Sequence, residues 1–342
     1  MLTSGPAHGL PKKQVLIIRS PKATFYHFIH FTMSSAEEKP KIVIICGPTG
    51  IGKTSVAIDI ARAVNGEIIS ADSMQIYRYM DIGTAKPTME EQSRVRHHII
   101  DIVDPDENFD AAKFSKRAHE KIVELYTGGI APLVVGGTGL YIKALVQGLF
   151  DAEAVNLDIR KRLKKEAVIS GTGLLHKRLT ACDPDAAGKI HPNDTYRIIR
   201  ALEMVEATGK TISKHQEDHG FTDKRYRVIK IGLRMERKAL YDRINKRVDV
   251  MIEKGLIDEV KGLLDRGYSE NLKSMQSIGY RHMVDFIKGR VLLDETIRTL
   301  KRDTRRYAKR QMTWFNADPE IVWTKPDYAE DIMLRVKDFL QL

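Results

Sequence analysis

The chain has 342 residues, 42% hydrophobic and 30% charged, which is enough apolar material for one large or two modest domains and too much for a disordered chain. No run of about 18 apolar residues is present that could cross a bilayer as a helix. Two cysteines, Cys46 and Cys182, exclude a disulfide framework or a four-cysteine zinc site and suit a reducing cytosol, while a net charge of +11 fits either a polyanionic partner or a merely basic surface.

Residues 1–40 carry no acidic residue before Glu37, and their apolar pieces, Val15–Ile18 and Phe25–Phe31, are interrupted by Arg19, Pro21 and Lys22. This segment is expected to be a dispensable extension, with Met33 as an alternative start, rather than an organelle-targeting presequence. Ile42–Cys46 is a β-branched run that stops at glycine and predicts a buried parallel strand. A helix should follow from Lys53 to Val64, with Val56, Ile60 and Ala63 on one face. Gly66–Ser70 is a second strand, His97–Ile102 a weaker third, Ala111–Tyr126 an amphipathic helix, and Pro132–Val135 a clear strand running into Gly136-Gly137-Thr138-Gly139. Strands alternating with helices at this spacing predict an α/β, three-layer parallel sheet. From Gln147 to Arg225 the strand signal vanishes, and Asn156–Ala167, Leu174–Thr180 and Asp194–Ala207 read as charged amphipathic helices. Tyr226–Leu233 returns to alternation, and a last short strand is expected at Ile321–Trp323. The division is therefore an extension (1–40), a first part of the core (41–146), an inserted helical domain (147–225), and core completion with basic C-terminal helices (226–342).

Gly47-Pro48-Thr49-Gly50-Ile51-Gly52-Lys53-Thr54 matches the P-loop pattern, between an apolar strand and a helix. Glycines let the backbone N–H groups turn inward toward phosphate oxygens, and the helix N-terminus and Lys53 add positive charge. Thr54 is placed to ligate a Mg²⁺ shared with the phosphates. The fold class is thus α/β, P-loop NTPase-like, a three-layer parallel sheet with an inserted helical domain. The motif does not say whose phosphate is bound, a nucleotide's or another's. A nucleoside triphosphatase would also show an apolar strand ending in a magnesium-holding aspartate. The best candidate, Ile99-Ile100-Asp101, is short, and the strong strand Leu133–Val135 ends in glycine instead. Asp72 falls at the carboxyl end of the second strand, where ligands of open α/β sheets collect, and could serve as a base, hold Mg²⁺ or cap the next turn.

Asp72-Ser73-Met74-Gln75-Ile76-Tyr77, followed by Met80-Asp81-Ile82-Gly83-Thr84-Ala85-Lys86-Pro87, resembles the tRNA dimethylallyltransferase (IPP transferase) family. So do Val135–Tyr141, His191-Pro192-Asn193-Asp194, and Thr304–Phe315, so that the resemblance runs from Lys41 to Trp323. It implies that the P-loop holds the pyrophosphate of dimethylallyl pyrophosphate. The acceptor would be the exocyclic N6 amine of the adenine just 3′ of the anticodon, in the anticodon stem-loop of tRNA. That amine is a poor nucleophile, so a base is useful, and Asp72 is the matching position. The P-loop amides, Lys53, Mg²⁺ on Thr54 and an arginine should stabilise the departing pyrophosphate. Arg247 is the arginine chosen, since it shares a helix face with Arg243. Thr138 matches a family position that helps hold the acceptor base or the tRNA.

The base must leave its stack to reach a P-loop, which implies a flipped adenine in a channel. The family's tRNA-contacting segments match Asp72-Ser73-Met74-Gln75, Tyr196-Arg197-Ile198-Ile199-Arg200 and Gln276-Ser277-Ile278-Gly279-Tyr280-Arg281. Arg298, Lys301, Arg302, Arg305, Arg306, Lys309 and Arg310 form a basic stretch in which 298, 302, 305 and 309 share a helical face that could track phosphates. Two distant cysteines cannot build the zinc module of eukaryotic relatives, which implies a bacterial-type, cytoplasmic enzyme; the resemblance implies a monomer, and no membrane contact is expected. Tyr196 stands where a glutamine is common in bacterial members. The rival readings are a P-loop small-molecule kinase, which would not need the basic C-terminal helix, and a non-catalytic RNA-binding protein, which would not need Asp72.

Overall fold

This computed structural model describes residues 39–148, 157–220 and 225–342. The expected extension, apart from Lys39 and Pro40, lies outside the described residues, as do residues 149–156 and 221–224 near the two ends of the expected insertion. The described chain begins with β1 (Lys41–Cys46), α1 (Lys53–Ala63), β2 (Gly66–Ser70), α2 (Met89–Arg94), β3 (His97–His98), α3 (Ala111–Thr127), β4 (Ala131–Gly136) and α4 (Gly139–Gln147). Five helices follow: α5 (Leu157–Ser170), α6 (Thr172–Cys182), α7 (Pro184–Lys189), α8 (Thr195–Thr208) and α9 (Ile212–His219). The chain then returns through β5 (Arg227–Leu233), α10 (Arg237–Glu253), α11 (Leu256–Asp265), α12 (Tyr280–Ile287), α13 (Leu293–Asn316), β6 (Ile321–Thr324) and α14 (Ala329–Leu340).

The six strands form one all-parallel sheet in the order β3-β2-β4-β1-β5-β6. Because side chains alternate across a strand, β1 feeds two cores at once. Ile42, Ile44 and Cys46 pack with Phe114 and Ile122 of α3 and Tyr141 and Leu145 of α4. Val43 and Ile45 pack on the other face with Val56 and Ile60 of α1, Ile244 of α10 and Val336 of α14. Each of these fully buried apolar side chains contributes about 1.5–3 kcal/mol. Helices therefore cover both faces, giving three layers. Helices α5–α9 have a core of their own, built from Leu163, Leu175, Leu179, Ile198, Ile199 and Leu202.

Two expectations need correction. The third strand stops at His98 because Ile99 and Asp101 adopt φ of +60° and +54°, which no extended strand accommodates. Ala63 is exposed at the end of α1, and Val56 and Ile60 bury that face together with Ala57 and Ala61.

Three neighbouring strands deliver the functional segments to one edge. β2 leads to Asp72, β4 to Gly136–Thr138 and β1 to the P-loop, all at carboxyl ends. The ends of β2 and β4 are pressed together: Ala71 N donates to Val135 O at 2.8 Å, and Thr138 N donates to Ala71 O at 3.2 Å. A Cβ on Gly136 would lie 2.1 Å from Ala71 O, which only a backbone shift could relieve. Gly136→Ala is expected to cost about 1–3 kcal/mol, as overpacking does, and to displace the adjoining Asp72. Urea unfolding checks the cost, and a crystal structure of the variant checks the displacement.

Candidate active site

The P-loop leaves β1 through Gly47, Gly50 and Gly52, at φ of +146°, +80° and +100°. Only glycine adopts such a series without strain, and it lets the loop wrap around an anion. Gly47 also needs its missing side chain, since a Cβ there would sit 2.8 Å from Leu233 O on β5. Gly52 precedes α1 with no side-chain cap, so no side chain of that residue occupies the helix's first N–H groups. Thr49, Gly50, Gly52, Lys53 and Thr54 line a cavity of about 690 Å³, whereas Gly47 and Pro48 form the base of the loop and the Ile51 side chain is fully buried.

Lys53 Nζ donates to Gly47 O at 3.1 Å and Pro48 O at 2.9 Å. Burial pulls its pKa down to about 8, while the Asp72 carboxylate pushes it up and Arg247 pushes it down. The ammonium is charged below that value and neutral above it. Affinity for pyrophosphate should therefore be greatest below about pH 8 and weaken as pH rises through it. Calorimetric titration with pyrophosphate across that interval checks this, and Lys53→Met should flatten the dependence.

Asp72 lies two residues beyond the end of β2 and lines the same cavity. Its Oδ1 accepts from Met74 N at 2.8 Å and from Gln75 N at 3.4 Å, so the carboxylate also caps the following turn. Gln75 is pinned by Ser70 Oγ, which donates to its Oε1 at 2.9 Å, while its Nε2 donates to Ala85 O at 3.2 Å. Thr138 Oγ1 accepts from Ser73 N at 3.0 Å and donates to Ser73 Oγ at 3.4 Å, tying the glycine-rich loop to the residue after Asp72. Thr138 is not part of the cavity wall, which Val135 and Gly136 supply from that strand.

Arg247 reaches the cavity from α10, where burial lowers its pKa against the opposing pull of Asp72, and Arg243 lowers it further. Arg243 lies beside the loop, its Nη2 3.3 Å from where a Cβ on Gly52 would be. Asp72, Lys53 and Arg247 thus form one electrostatic cluster. Asp101 is not free to act as the magnesium-holding aspartate of a nucleoside triphosphatase: Lys86 Nζ holds its Oδ1 at 2.5 Å and that of Asp81 at 2.5 Å.

Three participants carry no mark that singles them out in the sequence. Tyr307 lines the cavity near Asp72, where burial raises its pKa, and Gln311, one turn on, touches the P-loop. Glu259 accepts from Asp81 N, Ile82 N and Gly83 N at 2.9, 2.7 and 3.1 Å and from the Tyr280 hydroxyl at 2.6 Å. This carboxylate anchors the loop that carries Thr84–Lys86 into the cavity wall. Their four-residue spacing and their place in the Thr304–Phe315 block are the signals available for Tyr307 and Gln311; nothing local points to Glu259.

The three RNA-segment expectations divide. Ser73, Met74 and Gln75 adjoin the cluster. On α8, Tyr196 is exposed and Arg197 lines a second cavity of about 860 Å³, but Ile198 and Ile199 are buried in the core of α5–α9, and Arg200 pairs with Glu203 at 3.2 Å. Gln276 is exposed and Ser277, Ile278 and Arg281 are half-buried, whereas Gly279 is buried backbone at a turn and Tyr280 is fully enclosed against Glu259. The side chains of Ile198, Ile199 and Tyr280 are therefore corrected to core positions, because no RNA atom can reach them. The basic face of α13 also shifts: Arg305 Nη1 donates to Asn245 Oδ1 at 2.5 Å, and Arg298 pairs with Glu295 at 2.6 Å. The cations that open onto the second cavity are Arg306, Lys309 and Arg310, facing Lys143 and Arg197 above a floor of Ile142, Val146 and Phe315.

The chain matches the IPP transferase family model over residues 75–318. It is 50% identical to the tRNA dimethylallyltransferase of Desulfosudis oleivorans over 304 residues, 89% of this chain and 97% of the relative. Its fold is similar to a tRNA isopentenylpyrophosphate transferase from Bacillus halodurans, with a TM-score of 0.67, 44% identity and coverage of 89% of this chain and 97% of the other. It is also similar to a eukaryotic dimethylallyltransferase solved acting on tRNA, with a TM-score of 0.72, 29% identity and coverage of 84% and 74%. With a P-loop at one strand end, Asp72 at a second and a basic helix beside both, the chain belongs to the IPP transferase family of tRNA dimethylallyltransferases.

Proposed function

We propose that this chain transfers the dimethylallyl group of dimethylallyl pyrophosphate to N6 of the adenine 3′-adjacent to the anticodon, giving N6-isopentenyladenosine and pyrophosphate. The observation that carries the reading is one cavity in which the Asp72 carboxylate faces Lys53 and Arg247. The P-loop N–H groups, Lys53 and Arg247 bind the pyrophosphate and take up the negative charge that grows as the C1–O bond breaks. Asp72 accepts the proton that N6 sheds as it bonds to C1. Ser73, Met74 and Gln75 hold the acceptor base, and Thr138 fixes Ser73 for that task. Arg197, Arg306, Lys309 and Arg310 take RNA phosphates in the second cavity. The protein acts as a cytoplasmic monomer, with contacts to the anticodon stem-loop extended by Tyr196, Arg200, Gln276 and Arg281.

The residues present fit a magnesium ion. Thr54 opens onto the cavity beside Lys53 and Asp72, and among the described residues no group of three acidic, histidine or cysteine side chains forms a cage. One hydroxyl with a nearby carboxylate suits an ion that keeps most of its waters and shares phosphate oxygens. Thr54 would hold it, and it would supply positive charge to the leaving pyrophosphate.

The site assignment is tested with an anticodon stem-loop in which the target adenosine is replaced by purine riboside, which lacks only the N6 amine. Labelled dimethylallyl pyrophosphate should mark the adenosine stem-loop and not the purine one. Equal labelling of both would place the acceptor elsewhere.

A further inference from the structure

The ladder that joins β1 to β4 ends with Cys46 paired to Gly136, and the P-loop and Gly137–Thr138 continue beyond it. One side chain bridges the two continuations. Gln311, on α13 and 6% exposed, accepts through Oε1 from Thr49 N at 2.9 Å and donates through Nε2 to Gly137 O at 2.9 Å. The fit leaves no spare room, since a Cβ on Gly137 would lie 2.3 Å from Gln311 Nε2 and 3.4 Å from Gly47 O. A carboxamide suits this span because it presents an acceptor and a donor side by side, matching one backbone N–H and one carbonyl. Neither bond belongs to the sheet, so nothing in the strand register requires them.

The same helix has two further contacts that matter. One turn earlier, Tyr307 lies in the cavity near Asp72. On the neighbouring side, Arg306, Lys309 and Arg310 line the second cavity. Gln311 therefore stands where the loop for the donor phosphate, the loop before Thr138 and the helix that carries the RNA-facing cations meet.

We infer that Gln311 is a positioning residue for the transfer reaction: its carboxamide sets the separation of the donor loop and the acceptor loop, and ties both to the basic helix α13. This rests on the proposed roles of the P-loop and Thr138. A misplacement of about 1 Å between reacting groups can cost about 100-fold in rate without weakening the binding of either partner.

The test compares Gln311→Glu and Gln311→Met with wild type in steady-state transfer to the anticodon stem-loop. An ionised carboxylate at this position turns an acceptor toward Gly137 O and repels it, whereas a protonated carboxyl restores both bonds with nearly the same shape. Burial beside the Gly137 carbonyl raises the pKa of the introduced carboxyl. At about pH 9, where it is ionised, Gln311→Glu should lose about 10-fold or more in kcat, with both KM values within about 3-fold of wild type. Its deficit relative to wild type should shrink as pH falls toward about 5. Gln311→Met should lose kcat at every pH. A Gln311→Glu enzyme with wild-type kcat across about pH 5–9, or with a deficit that does not change with pH, overturns the inference. If Gln311→Met unfolds, the pH-dependent rescue of Gln311→Glu still decides. Wild-type protein that labels no stem-loop would instead sink the functional reading on which this rests.

Discussion

Asp72→Asn should lower kcat for dimethylallyl transfer by about 10²–10⁴, the usual contribution of a positioned general base. Asparagine keeps the capping role, because its side-chain oxygen can still accept from Met74 N and Gln75 N. The turn and the sheet edge should therefore survive, and the loss will report chemistry rather than folding. A second consequence follows from charge. The Asp72 carboxylate raises the pKa of Lys53 and of Arg247. Without it, the Lys53 pKa falls below about 8, so a larger share of the ammonium is neutral at neutral pH. The KM for dimethylallyl pyrophosphate should rise along with the fall in kcat, while stem-loop affinity holds. Steady-state kinetics with each substrate varied in turn, supported by a thermal melt of the variant, checks the pattern.

Arg247→Met should cost about 10²–10³ in kcat, comparable to removing one preorganised donor from a developing anion. Methionine retains much of the buried stem, so the main change is the lost guanidinium. Arg247 lowers the Lys53 pKa by repulsion. Removing it should move that pKa upward, and the alkaline limb of donor binding should shift to higher pH in the variant. The two changes have opposite signs, which separates them: transfer becomes slower, yet what binding remains persists further into alkali. A pH series of donor binding in wild type and variant measures the shift.

The features most legible in the sequence are those set by local chemistry. The glycines and Lys53 of the P-loop, between β1 and α1, need eight consecutive residues and no tertiary information. The apolar runs at Ile42–Cys46 and Pro132–Val135 are also central strands, because a both-faces-buried parallel sheet demands that composition. The weaker sequence signals mislead where backbone geometry or packing intervenes. Positive φ at Ile99 and Asp101, both non-glycine, ends β3 after two residues, and no local residue pattern announces that. Helical spacing correctly groups residues 298, 302, 305 and 309, but α10 packs against part of that side of α13 and engages Arg305 through Asn245. The open cations are Lys309, at the end of that face, with Arg306 and Arg310 beside it. Ile198 and Ile199 sit within a segment matched to RNA contact, yet hydrophobic burial claims their side chains for the core of α5–α9. Gln311 and Glu259 act on backbone groups more than 170 residues away, and a polar side chain's distant partner has no local trace.

The central claim is that one cavity brings a pyrophosphate in the P-loop against a base at Asp72. A single-turnover measurement tests it most directly. Wild type and Asp72→Asn are each preloaded with labelled dimethylallyl pyrophosphate and Mg²⁺, then mixed with excess unmodified anticodon stem-loop. The account predicts that wild type converts its bound donor to labelled RNA and free pyrophosphate in a single burst. Asp72→Asn, tested with enough donor to saturate it, should retain the donor and the stem-loop and yield product about 100-fold or more slowly. Equal bursts from the two proteins would contradict the account, because the proton from N6 would then be leaving by another route.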